Sequence, residues 1–324
     1  MSETDAAGAK PAVSHVEVTA DDEGMRLDRW LRQQFPSVPF GALSKVVRTG
    51  QVRVDGARAK LETRLSAGQS VRLPPIMVAE TAAPPRAEGD GASLDAMVIH
   101  RDDALVVLNK PFGLAVQGGS GLSRHIDGML EAWRDRKGRK PRLVHRLDRD
   151  TTGVLVVALT RAAAAHLAET FKGRDAHKDY LALVRGHPNP PEGRIATWIA
   201  RDPEDGEKMR AYRDKTKESQ RAISDYETLD RSGQLSLLKM MPVTGRTHQL
   251  RVHAAHMGTP IIGDSKYFNI ENWALPGGIQ NRLHLHARRI RLPHPAGGTL
   301  DVTAPISQHF QQSLNVLGLS EAES

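Results

Sequence analysis

From residue 105 onward, apolar residues come in short runs of strand length that follow one another with few helical stretches between them. Leu105-Val106-Val107-Leu108 and Val154-Leu155-Val156-Val157 are continuous apolar runs, and 180–184, 223–229, 235–241 and 290–293 read as strands. Residues 162–171 carry a helical pattern. Consecutive strands with so few intervening helices predict an α+β domain around a mainly antiparallel, mixed central sheet with flanking helices. No glycine-rich dinucleotide fingerprint follows a first strand, so a nucleotide-binding doubly wound fold has no support.

Four regions are expected: a disordered tail over 1–14, rich in Ala, Gly and charge; a small folded module over 15–75; a linker over 76–94, with Ala82-Ala83-Pro84-Pro85 and Glu88-Gly89-Asp90-Gly91; and a large domain over 95–324. In the module, Leu27, Trp30, Leu31 and Phe35 recur at helical spacing, and Pro36 and Pro39 break that helix. Leu43, Val46 and Val47 suggest a second helix ended by Gly50. Val52 and Val54 flank Arg53 before the turn Asp55-Gly56, and Val71 and Leu73 mark a closing strand.

The module also holds the chain's charge. Residues 25–75 contain ten Lys and Arg against Asp28, Asp55 and Glu62, an excess of seven, equal to the +7 of all 324 residues. Arg26, Arg29, Lys45, Arg48 and Arg53 are the candidate contacts to a polyanion such as nucleic acid. There is no cysteine, which excludes disulfides, thiolate metal sites and cysteine nucleophiles. No apolar run approaches the roughly 18 residues of a membrane span, and the first twelve residues lack signal or transit character, so a cytoplasmic, membrane-free protein is expected.

Chemistry concentrates in four stretches. His145-Arg146-Leu147-Asp148-Arg149-Asp150-Thr151-Thr152-Gly153 precedes an apolar strand; the alternation of Arg146, Leu147 and Asp148 sends neighbours to opposite faces. Thr244-Gly245-Arg246-Thr247-His248-Gln249-Leu250-Arg251-Val252-His253 follows another strand, with Thr247 as a candidate helix N-cap and Leu250 and Ala254 on one helical face. Asn109-Lys110-Pro111-Phe112-Gly113 is a turn closing a buried strand, and Lys178-Asp179-Tyr180 opens one.

These stretches, in this order, resemble the RluA/RluC/RluD family of RNA pseudouridine synthases. The likeness runs from about 96 to 306, takes in Gly263-Asp264 and Leu285-His286-Ala287, and is nearest to the RluC type through Val116-Gln117-Gly118-Gly119-Ser120-Gly121 and Leu181-Ala182-Leu183-Val184-Arg185-Gly186. Gln117 and Thr152 stand where members commonly have His and Ser. The module over 15–75 is similar to the S4 RNA-binding domain. The resemblance implies the pseudouridine synthase fold, isomerisation of uridine in RNA, large-subunit ribosomal RNA as partner, and no cofactor. A monomer is expected.

It also implies roles. Asp148 is the catalytic carboxylate, a covalent nucleophile or a stabiliser of a cationic sugar, with attack at C1′, attack at C6 and elimination to a glycal all left open. Arg251 is its ion-pair partner, Tyr180 packs on the flipped base, and Arg146 enters the RNA where the base left. His145, Lys110, Arg246, His248 and Leu250 are expected at the substrate, with Val252 beside Leu250. Asp150 is expected to partner nearby hydroxyls or amides. Two rivals are weaker: a histidine metal hydrolase lacks a His-Glu-x-x-His motif and has Arg251 inside its cluster, and a non-catalytic RNA-binding or assembly factor would have no reason to keep Asp148, Tyr180 and Arg251.

Overall fold

The computed structural model describes residues 14–35, 38, 40–74, 89–118, 124–135, 138–268 and 273–321. The chain divides into two compact units, residues 1–90 with 131–140, and residues 91–130 with 141–324. Most of the expected tail and linker, together with Pro36 and Pro39, lies outside the described residues.

In the small unit, β1 (Ser14–Glu17), α1 (Leu27–Gln34), α2 (Phe40–Arg48), β2 (Arg53–Val54), β3 (Ala57–Arg58) and β4 (Ser70–Leu73) follow in order, and the sheet runs β1-β4-β2-β3. Leu27, Trp30 and Leu31 of α1 and Leu43 and Val47 of α2 are buried with Val54, Val71 and Leu73 of the sheet. Asp55 and Gly56 both take positive φ, the requirement of a two-residue hairpin turn. Burying the apolar face turns the cations outward: Arg26, Arg29, Lys45, Arg48 and Arg53 are all exposed. Strand register sets Arg72, Arg53 and Arg58 in one cross-strand row. Like charges directly opposite oppose sheet formation, and a bound anion would relieve them.

Two boundaries differ from the sequence reading. The last residues of the expected linker belong to α3 (Asp90–Asp95), where the buried Leu94 anchors the turn. Residues 131–140 group with the small unit; Glu131 pairs with Arg134 at 2.6 Å and Lys140 at 3.2 Å, which closes this segment on itself.

The large unit is an eleven-stranded sheet. Its strands are β5 (Val98–Arg101), β6 (Leu105–Lys110), β7 (Arg142–Leu143), β8 (Thr152–Ala158), β9 (His177–Arg185), β10 (Glu192–Arg201), β11 (Met209–Tyr212), β12 (Gln220–Ser232), β13 (Leu235–Pro242), β14 (Leu285–Pro293) and β15 (Thr299–Thr303). The order is β11-β10-β12-β13-β9-β14-β8-β6-β5, with β15 on β14 and β7 on β8. Among the pairings of these strands only β8 with β14 is parallel, so the sheet is mixed and mainly antiparallel. Helices α4 (Ile126–Met129), α5 (Arg161–Gly173), α6 (Gln249–His256) and α7 (Gln308–Leu317) complete the unit.

The two-residue period of β9 assigns its faces. Ala182 and Val184 pack with Leu250 and Ala254 of α6, while Leu181 and Leu183 pack with Phe310 and Leu314 of α7. The parallel β8–β14 contact requires Gly153: at φ +103°, a Cβ there would sit 2.1 Å from the carbonyl oxygen of Ala287. This close approach sets the loop before β8 beside the start of β14.

Candidate active site

The loop between β7 and β8 carries Asp148. Leu147 is buried while Arg146 is exposed and Asp148 half-buried, the alternation its sequence suggests. The loop is pinned from three sides. His145 Nε2 accepts the Val156 N–H at 2.8 Å, and its ring stacks on Phe171 of α5 with centroids 4.5 Å apart. Burial, with Lys178 nearby, pushes His145 down to about 3, so it is a neutral acceptor. Lys110 is fully buried, and its Nζ donates to the carbonyls of Pro111, Leu114 and Arg149 at 2.9, 2.8 and 2.7 Å.

Lys110, expected from the sequence at the substrate, is not among the residues lining the cavity around Asp148; its buried amine clips the turn after β6 to the Asp148 loop. Burial lowers it to about 7, against the raising effect of Asp150 and Asp148. His145 likewise serves the loop, although its ring forms part of the cavity wall. Asp150 accepts from the adjacent Arg149 guanidinium at 3.0 and 3.1 Å, and no hydroxyl or amide among the described residues donates to it.

Opposite the loop stands the start of α6. The helix begins at Gln249 after His248, which takes the left-handed conformation (φ 55°). Thr247 does not cap it. The Gln249 side chain instead accepts from the Arg246 N–H at 3.1 Å and from the Thr244 hydroxyl at 2.7 Å. Leu250 packs toward β9 and lines the cavity, whereas Val252 faces away onto Ile199 and Ala222.

Arg251 is buried, and its Nη1 reaches Asp148 Oδ2 at 3.3 Å. Its stronger contacts go elsewhere: Nε and Nη2 donate to the two oxygens of Asp264, each at 2.7 Å. Asp264 has no side-chain exposure and also accepts the N–H groups of Lys266 at 2.9 Å and Tyr267 at 3.2 Å. Burial disfavours the Arg251 charge, but Asp264 and then Asp148 more than compensate and raise its pKa. In the sequence Gly263-Asp264 is visible only as part of the family likeness, and nothing there pairs Asp264 with Arg251. Gly263 is the local cause of the pairing: at φ +72°, a Cβ would lie 1.9 Å from the Arg282 carbonyl oxygen.

Tyr267 joins this group. Its ring lies under the Arg251 guanidinium at 5.2 Å, and its hydroxyl accepts the Met209 N–H at 2.8 Å and meets His248 Nδ1 at 2.8 Å. His248 Nε2 is 4.0 Å from Asp148 Oδ2. Burial lowers His248 despite the neighbouring Asp148. Tyr180, on β9, packs against the Leu250 cluster, and burial followed by Asp148 raises its pKa, so it stays a phenol.

Around Asp148 lies a cavity of about 490 Å³, within the roughly 300–1,000 Å³ of ligand sites. Its charged walls are Arg146, Lys172, Arg174, Lys178, Arg246 and Arg251 against the single carboxylate of Asp148. Tyr180, Leu250 and Leu285 supply apolar surface. Among the described residues no group of three or more His, Asp or Glu is placed to hold a metal ion; His253 meets Thr197 and Ser224, His284 meets Ser313, and His286 meets Thr152.

Fold and cavity together set one carboxylate, Asp148, in an open site whose other charged walls are cationic, an arrangement suited to an anionic substrate. A family model described as RNA pseudouridylate synthase matches residues 104–256, which include Asp148, Tyr180 and Arg251. Ribosomal large subunit pseudouridine synthase C of Escherichia coli K12 is 38% identical over 318 residues, covering 95% of this chain and 97% of its own length. The protein of the same name from Yersinia pestis is 39% identical over 312 residues, covering 95% and 96%. Among solved structures, human RNA pseudouridylate synthase domain containing 4 superimposes with a TM-score of 0.61 at 30% identity, over 73% of this chain and 99% of its own. The chain belongs to the RNA pseudouridylate synthase family. No helix among the described residues is long and apolar enough to cross a membrane.

Proposed function

We propose that this chain converts uridine to pseudouridine in large-subunit ribosomal RNA, with Asp148 as the reacting carboxylate. The observation that carries the reading is the isolation of Asp148: one carboxylate, held by one arginine, in a cavity whose other charged side chains are cations. Such a cavity attracts RNA phosphates, and once a uridine is turned out of its stack, the carboxylate is the anionic group available beside the sugar and base. The ribosomal substrate is supported by the names of the bacterial relatives.

The isomerisation breaks the N1–C1′ bond, turns the base and rejoins it through C5; the proton lost from C5 is balanced by one gained at N1. No atom is gained or lost overall, so the chemistry needs no redox partner. A carboxylate serves by attack or by stabilising positive charge on the sugar. Arg251 holds the Asp148 Oδ2 from one side at 3.3 Å. Tyr180 offers a neutral ring face to the base, and Leu250 adds apolar wall. Arg146, exposed at the cavity, fills the place the base has left. Arg246 lies at the same wall with its Nε tied to the Arg221 carbonyl at 3.2 Å. The small unit acts as an S4-like RNA grip, its Arg26, Arg29, Lys45, Arg48 and Arg53 meeting phosphates.

The test is tritium release from large-subunit ribosomal RNA carrying 5-³H-uridine. Asp148→Asn, close in shape, is expected to abolish release while RNA affinity stays within about threefold. Release at the wild-type rate would overturn the reading.

A further inference from the structure

Three non-glycine residues take positive φ among those described: Asp55, Arg174 and His248. Two have local reasons. Asp55 precedes Gly56 in the hairpin turn and its carboxylate accepts the Ser70 N–H at 2.8 Å; His248 faces Asp148 and Tyr267. Arg174 has none of this kind. It stands at the end of α5 with φ 70° and ψ 23°, and its N–H donates to the Thr170 carbonyl. That position suits glycine, because a side chain crowds the backbone in the left-handed region. Here glycine falls one residue early, at Gly173, and the left-handed residue is an arginine.

The side chain so placed is exposed and lines the Asp148 cavity. Among the described residues its guanidinium has no hydrogen-bond or ion-pair partner, and the same holds for Arg146. The helix end that carries Arg174 is not loosely placed. Phe171, one turn earlier, is stacked on His145, and Lys178 Nζ lies 5.8 Å from the same Phe171 ring. The stack ties the end of α5, and with it the backbone of Arg174, to the loop that carries Asp148. Persistent backbone strain beside a functional site is a recurrent sign of a side chain kept for its ligand.

Resting on the RNA reading above, we propose that Arg174 binds a backbone phosphate of the RNA next to the uridine held at Asp148. A guanidinium suits this task because it presents paired N–H donors to phosphate oxygens. Arg146 and Arg174 then act on different parts of the same nucleotide strand, the first at the gap in the base stack and the second on its backbone.

Arg174→Gly separates this role from a structural one, because glycine relieves the left-handed strain while removing the cation. Steady-state turnover and binding of a large-subunit ribosomal RNA transcript are measured for wild type, Arg174→Gly and Arg174→Lys, with thermal unfolding in parallel. For Arg174→Gly the expectation is an unchanged or higher Tm, a KM raised about tenfold, kcat within about twofold, and a slope of log Kd against log salt reduced by about one. Arg174→Lys should stay within about threefold of wild type in KM. Unchanged KM and salt slope in Arg174→Gly would overturn the proposal, as would a fall in Tm that accounts for the loss, which would make Arg174 a cap of α5. A wild-type protein that neither binds nor modifies the transcript would overturn the RNA reading itself, and this proposal with it.

Discussion

Asp264 is the most informative residue to perturb, because Arg251 is bound to it more tightly than to Asp148. In Asp264→Asn the amide keeps one oxygen and turns the other into an N–H donor. Oδ1 of the native carboxylate accepts three of the four hydrogen bonds, from Arg251 Nη2, Lys266 N and Tyr267 N, and Oδ2 accepts the Arg251 Nε. With its oxygen at the Oδ1 position, asparagine sets an N–H against the Arg251 Nε–H and removes the buried countercharge. Breaking one side of a buried ion pair costs about 3–5 kcal/mol, and the lower end applies because three acceptor contacts survive. In a domain of this size about 3 kcal/mol lowers Tm by roughly 6–12 °C. Arg251 then has Asp148 as its remaining carboxylate, and its 3.3 Å contact should close to a two-point pair that occupies the reacting oxygens. Single-turnover tritium release, measured well below the lowered Tm, is expected to fall at least about tenfold. Asp264→Glu, which keeps the charge, should recover part of both losses. A Tm within about 2 °C of wild type together with a rate within about twofold would refute the argument that Asp264 holds Arg251.

The buried histidines set the acid limit of stability. His253, His284 and His286 have no exposure, and burial holds each near 4, below the ordinary value of 6.5. The unfolded chain therefore binds protons between pH 6.5 and 4 that the folded chain refuses, so stability is lost as pH falls through that window, by about 1.4 kcal/mol per pH unit for each fully titrating group. Urea midpoints measured from pH 8 to 5 should decline below pH 6.5; a rise on acidification would contradict the assignment. Lys110→Met should cost about 3 kcal/mol by leaving three carbonyls without their donor, with KM for RNA unchanged in the folded protein. A raised KM at unchanged Tm would return Lys110 to the RNA surface.

What could be read from the sequence followed from periodicity and from local spacing. Alternation along 180–184 assigns Tyr180, Ala182 and Val184 to one face of β9, and that face meets α6. Arg146, Leu147 and Asp148 alternate in the same way. Other features depend on the third dimension. Lys110 reads as a basic turn residue, and only the packing of the Arg149 carbonyl across it makes it a buried clip. Thr247 has the side chain of an N-cap, but the left-handed His248 shifts the helix start by one residue and gives the capping to Gln249. Asp264 is thirteen residues from Arg251 and meets it because Gly263 lets the chain pass against Arg282. A glycine before an acid was the visible signal, and its partner was not.

The cavity sets two electrostatic demands against each other. Six cations favour a polyanion, yet the same cations could bind the one carboxylate that has to react. The geometry keeps these uses apart. Arg251, the cation nearest Asp148, gives its two shortest bonds to Asp264 and one long contact to Asp148, so the three groups together carry a net negative charge. His248, the next neighbour, is lowered by burial and stays neutral at physiological pH. Arg146 and Arg174 have no hydrogen-bond or ion-pair partner among the described residues and lie at the exposed wall, available to RNA. Binding RNA would neutralise these outer cations and leave the inner Asp148–Arg251–Asp264 group unchanged. The negative potential at Asp148 should therefore be strongest once substrate is in place, when the carboxylate faces the sugar and base.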